Sequence, residues 1–102
     1  MAMHVIDLND HEAHDPRPVL AGPWRWLRLF AIAPGTSETL ERGEVEYAAY
    51  VVAGDGRAVT ANGRFPLARG TSLVLLRGAG AVLEAGDGGL RVFVEAVDAP
   101  RR

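Results

Sequence analysis

The sequence predicts an all-β domain of short antiparallel strands packed as a sandwich or barrel. Several short β-rich runs are separated by turns that contain glycine. The last run alternates, with Arg91 and Glu95 on one face and Val92 and Val94 on the other, the mark of a half-buried strand. No window carries a 3.6-residue apolar pattern of helical length. Leu40-Glu41-Arg42-Gly43-Glu44 holds helix formers, but Gly43 interrupts it.

Residues 4–8 read as a short edge strand. Residues 9–18 are polar and punctuated by Pro16 and Pro18, so they read as irregular chain. Residues 24–32 form a β-rich run that ends at the turn signal Pro34-Gly35. Residues 45–52 form a second, stopped by Gly54-Asp55-Gly56. A short strand over 57–61 then meets Asn62-Gly63, whose residues tolerate the positive φ of a hairpin turn, and 65–67 returns from it. Residues 73–76 are a buried-looking strand. Residues 81–85 follow, then an expected turn at Gly86-Asp87-Gly88-Gly89, then 90–97. This divides the chain into an arm with an edge strand (1–21), a β-barrel (22–97) and a tail (98–102).

At 102 residues the chain is of single-domain size. It has no cysteine, which excludes disulfides, thiolate metal ligands and a cysteine nucleophile. All 11 basic side chains are arginine, so lysine Schiff-base chemistry is excluded too. The net charge is −2 and the arginines are scattered, unlike the basic stripe of a nucleic-acid binder. Apolar runs stay near six residues, against the roughly 20 of a spanning helix, so no membrane partner is expected. The amino end lacks the basic start and apolar run of a signal peptide, and a cytoplasmic location is expected.

Gly35, Gly54, Gly70 and Gly78 recur at defined intervals. Gly35 and Gly54 fit a motif of glycine, five residues, His-x-His, three residues, Glu, six residues and glycine. Gly70 and Gly78 fit a second, glycine, five residues, Pro-x-Gly, two residues, His, three residues and Asn. With the stretches at 50–56 and 63–70, these spacings resemble the cupin family over residues 22–97. The resemblance implies a double-stranded β-helix, a jelly-roll barrel. It also implies a divalent metal held by three histidines and a glutamate.

The ligand positions depart from that pattern. The first-motif histidines fall at Glu41 and Gly43, and the glutamate at Tyr47. The second-motif proline falls at Leu76, the histidine at Ala81 and the asparagine at Ala85. A metal site needs several donors converging on one point, so no metal and no cofactor are expected. Glu46 lies one residue from the glutamate position and faces the other way unless a bulge turns it. Asp10-His11-Glu12-Ala13-His14-Asp15 is dense in donor types and reads as a solvated loop, a zinc-type or peripheral metal site, or a pH-sensitive contact at a dimer edge.

By analogy the barrel interior would be lined by Glu41, Tyr47, Ala49, Val51, Ala81, Leu83 and Ala85. Such a lining suits a small apolar or aromatic ligand; the same residues can equally pack a closed core. Trp24 and Trp26 alternate with Arg25, fitting sheet packing, a dimer interface or a ligand platform. Arg25, Arg28 or Arg91 would anchor an anion if turned inward. Two function classes follow. One is a metal-free small-molecule-binding or structural module. The other is a metal-independent, or atypical-metal, isomerase, cyclase or lyase using Tyr47 or Glu41 as proton donor or acceptor. Family members commonly dimerise through amino-terminal strands, so a homodimer involving residues 4–8 and 24–30 is expected.

Overall fold

The computed structural model describes residues 3–98. It contains β1 (Trp24–Ile32), β2 (Ser37–Leu40), β3 (Val45–Thr60), β4 (Gly63–Ala68), β5 (Ser72–Leu75) and β6 (Ala81–Asp98). They form one six-stranded sheet, ordered β1-β6-β3-β4, with β2 added to β6 and β5 added to β3. Every pairing is antiparallel.

Two long strands organise the molecule. Residues 45–54 of β3 pair with 90–98 of β6, and residues 56–59 pair with 82–85. Register shifts at Val51/Ala53 and Gly54/Gly56 mark the bend between these stretches. β1 and β5 flank the long strands on one side of the bend, and β2 and β4 on the other. The result is a first wing (β1, β6, β3, β5) and a second wing (β2, β6, β3, β4). Buried residues of both wings join one core cluster, including Phe30, Tyr47, Val51 and Val94 from the first and Leu40, Ala58, Leu67 and Leu83 from the second.

The closed barrel is not formed, which corrects the jelly-roll barrel expected from the sequence. Among the described residues, β1 and β2 pair with no strand other than β6, and β4 and β5 with no strand other than β3. β2 and β5 have four residues each, too short to carry the sheet round to meet its other edge. The outer edge of β1 is taken instead by the amino-terminal arm. His14 exchanges both backbone hydrogen bonds with Leu27, each 2.8 Å. Residues 4–8 carry no strand.

Two glycine-rich segments read as turns lie inside strands. Gly54-Asp55-Gly56 is the bend of β3, and 86–89 is carried within β6. The hairpin turn falls on Ala61 and Asn62, with Thr60 paired to Gly63. Among the described residues no helix is long and apolar enough to cross a membrane.

Candidate functional site

The interior between the wings is filled by side chains. Tyr47, Ala49, Val51 and Leu83 all belong to the buried core. Trp26 packs against this cluster, its ring 6.3 Å from Phe30 and 6.1 Å from Tyr47. Arg28 shares the inward parity of Phe30 and lies over its ring, 4.2 Å from the centroid. Its Nε is buried without an acceptor among the described residues.

Tyr47 is 6% exposed, and its hydroxyl donates to the backbone carbonyl of Glu41 at 2.8 Å. Burial pushes the phenol above its ordinary pKa, and the Glu41 carboxylate adds to the effect. Tyr47 therefore stays protonated and acts as a strut under the Glu41 loop. Glu41 and Tyr47 do meet, but through a main-chain oxygen rather than at an open cavity.

The open space lies further out. A hollow of about 900 Å³ sits where the end of β2, the β3–β4 turn, the 76–80 loop and the start of β6 come together. Glu41 and Ala81 both line it. Its apolar wall includes Phe65, Leu73, Leu75 and Leu76, and its charged groups are Glu41, Arg42 and Arg77. Ala85 instead borders a separate polar hollow with Ser37, Asp55 and Arg57. Tyr47, Ala49, Val51 and Leu83 line neither.

The rim is pinned by main chain. Gly78 N–H donates to the Gly43 carbonyl at 2.9 Å, joining the 41–44 and 76–80 loops. The Arg77 guanidinium reaches Glu44 at 2.9 Å, and its backbone N–H approaches Glu46 Oε2 at 3.4 Å. Arg42, Leu76 and Arg77 were missed by ligand-position reasoning. The signal was the apolar Leu76 at the proline position of the second motif, next to Arg77.

A divalent ion does not fit the family positions. Glu41 offers one carboxylate, Gly43 and Ala81 offer no donor, and the Tyr47 phenol is committed to a carbonyl. Glu46 pairs opposite Val97 and points away from the core face. Among the described residues no group of three or more His, Cys, Asp and Glu is placed to hold a metal. His11 and His14 do not converge. His11 Nδ1 donates to the Leu29 carbonyl at 2.9 Å, and His14 Nε2 meets Asp10 at 3.0 Å. The Glu12 backbone N–H, then His14, hold the Asp10 carboxyl below its usual range.

No protein-family model matches the chain, and no curated protein does either. Solved structures do. A cupin protein from Bacteroides fragilis aligns over 97% of this chain and 86% of its own, with a TM-score of 0.75 at 12% identity. An ectoine synthase from P. lautus aligns over 96% and 80%, with a TM-score of 0.68 at 17% identity. A sugar phosphate isomerase from Silicibacter pomeroyi aligns over 74% of this chain and 51% of its own, with a TM-score of 0.63 at 19% identity. At such identities the likeness concerns architecture. This chain has the cupin-superfamily fold, with no metal-binding cluster among its described residues.

Proposed function

We propose that this chain takes a small organic molecule with an apolar or aromatic body in the Glu41–Ala81 hollow, without a metal ion. The observation that carries this is the hollow itself. It is within the size range of small-molecule sites. It also opens at two of the positions where the family resemblance places metal ligands, and there the chain offers a carboxylate, Glu41, and an alanine methyl, Ala81, instead of imidazoles.

A metal-independent isomerase, cyclase or lyase fits better than a purely structural module. Structures of the same fold include an isomerase and a synthase by name. The hollow also combines an apolar wall with one carboxylate, Glu41, and the guanidinium groups of Arg42 and Arg77. In this reading Glu41 takes a proton from the substrate and returns it, while Arg42 faces an oxyanion or carboxylate. Tyr47 is a positioning residue that holds the Glu41 loop. Ala49, Val51 and Leu83 belong to the buried core with Tyr47 and do not reach the hollow.

Native mass spectrometry of gently purified protein tests the proposal. A bound organic molecule is expected on the wild type and on Glu41→Gln. It should fall at least tenfold in occupancy in Leu76→Glu, where a charge enters the apolar wall. A molecule retained equally by Leu76→Glu, or one released by removing a stoichiometric divalent ion, contradicts it.

A further inference from the structure

Arg25, Arg28 and Arg91 would each anchor an anion if turned inward, and the fold turns one of them inward. Arg25 is exposed and bridges Asp98 at 2.6 Å. Arg91 is exposed between the buried Leu90 and Val92, so it points away from the core. Arg28 shares the inward positions of β1 with Trp26 and Phe30. The register sets it in a row with Val94, Ala49 and Leu73. The row on one side is Trp26, Ala96, Tyr47 and Leu75, and on the other Phe30, Val92 and Val51. Every other side chain in these three rows is apolar or aromatic.

The donors of Arg28 are unmet. A guanidinium carries five N–H donors and no acceptor. Nε is buried without an acceptor, and Arg28 has no hydrogen bond or ion pair among the described residues. Its cation lies over the Phe30 ring, 4.2 Å from the centroid, which covers one side of the guanidinium plane and leaves its edge free. Arg28 is half-buried, whereas every other described arginine is exposed. Taking a cation out of water without a partner costs free energy, and leucine or methionine at this position would avoid that cost. A negative group from outside the chain would offset it.

We infer that Arg28 anchors a small organic carboxylate at this margin of the first wing, with the planar or apolar body of the molecule against Trp26 and Phe30. A carboxylate matches the guanidinium fork through two parallel N–H···O bonds and neutralises its single charge. The two rings lie 6.3 Å apart with their planes inclined at 62°, an apolar wall beside the charge. A phosphate group fits less well. It carries up to about two negative charges near neutral pH, and Arg28 is the sole cation in the three rows. The site is separate from the Glu41–Ala81 hollow, whose lining includes none of Trp26, Arg28 and Phe30. It does not depend on the function proposed for that hollow.

Nitrogen-15 NMR of the arginine Nε–H groups of the full chain tests this, with the Arg28 signal identified by its loss in Arg28→Met. Sodium benzoate should shift that signal saturably, with backbone amide shifts centred on residues 26–30. Benzamide has the same ring without the charge and should bind at least tenfold more weakly. Inorganic phosphate should also bind at least tenfold more weakly. Arg28→Met should abolish the benzoate shifts around residues 26–30 and keep or raise the melting temperature, because it removes the unmet charge. Arg28→Lys keeps the charge without the fork. It should weaken benzoate binding at least fivefold with unchanged far-ultraviolet circular dichroism, and it carries the test alone if the methionine variant does not fold. A wild-type Arg28 signal that does not shift saturably overturns the inference. So does equal binding of benzamide or phosphate, or benzoate binding at full strength in Arg28→Lys. Shifts confined to residues 39–42 and 73–82 would put the carboxylate in the hollow and overturn this site as well.

Discussion

Gly54→Ala is expected to destabilise the protein by about 3 kcal/mol or more, lowering the melting temperature by roughly 12 °C or more. A Cβ at Gly54 would lie 2.1 Å from the Gly89 carbonyl oxygen. That obstacle is backbone at the β3–β6 bend, so it cannot swing aside as a side chain would. The residue also has φ +82°, where an L side chain is strained by a further 1–2 kcal/mol or so. Gly56 is similarly confined, with a Cβ 2.0 Å from the Glu84 carbonyl oxygen. Gly35→Ala is the control. It shares a positive φ of +72° but has open space around it, so about 1 kcal/mol is expected. Thermal melts of the three proteins check the contrast. Equal losses at Gly54 and Gly35 would show that strain alone, and not the close approach of the two long strands, sets the cost.

Tyr47→Ala is expected to cost about 3–5 kcal/mol, the range for removing a buried aromatic ring from a core. Tyr47→Phe keeps the ring against Trp26 and loses only the bond to the Glu41 carbonyl, so about 1 kcal/mol is expected. The two variants separate the strut from the ring. A pH series adds a third reading. The folded phenol pKa is raised by burial above the ordinary value of about 10. The unfolded chain therefore releases this proton first. The stability tied to the neutral phenol is complete below about pH 10 and is lost as pH rises through the folded value. Denaturant melts of the wild type should steepen their decline above pH 10, and those of Tyr47→Phe should decline less. A Tyr47→Phe profile that parallels the wild type would remove the strut assignment.

The glycine spacing was legible because four backbone sites need a left-handed conformation. Gly35, Gly54, Gly70 and Gly78 have φ of 72°, 82°, 93° and 85°. Glycine carries that conformation without a Cβ penalty, so the motif survives where the ligands do not. The path of the long strands was not legible. Gly54-Asp55-Gly56 and 86–89 have turn composition, yet each strand continues through them with a bend. A strand passing another at a close backbone contact and a strand reversing both call for glycine, and composition does not separate them. The open edge was hidden for a similar reason: the arm residue that caps β1 uses main-chain atoms of His14, which leave no side-chain signature.

Of the candidate site, Glu41 and Ala81 were legible from motif position, and the hollow itself was not. The volume of Tyr47, Val51 and Leu83 decides whether the interior is empty, and spacing carries no volume. Those side chains close the middle and leave space only at the loop end. Gly43 adds a further point. A Cβ there meets nothing within 4 Å and its φ is not left-handed, so packing does not forbid a donor at that position. The absence of imidazole is a property of the sequence rather than a demand of this fold.

The most direct measurement is nitrogen-15 NMR mapping of the protein titrated with indole, a small aromatic probe, in the presence of a chelator. Shifts are predicted to cluster at residues 39–42 and 73–82, around the Glu41–Ala81 hollow, and to be the same with the chelator absent. No saturable shift in that region, or shifts that appear there only after a divalent ion is supplied, would contradict the account.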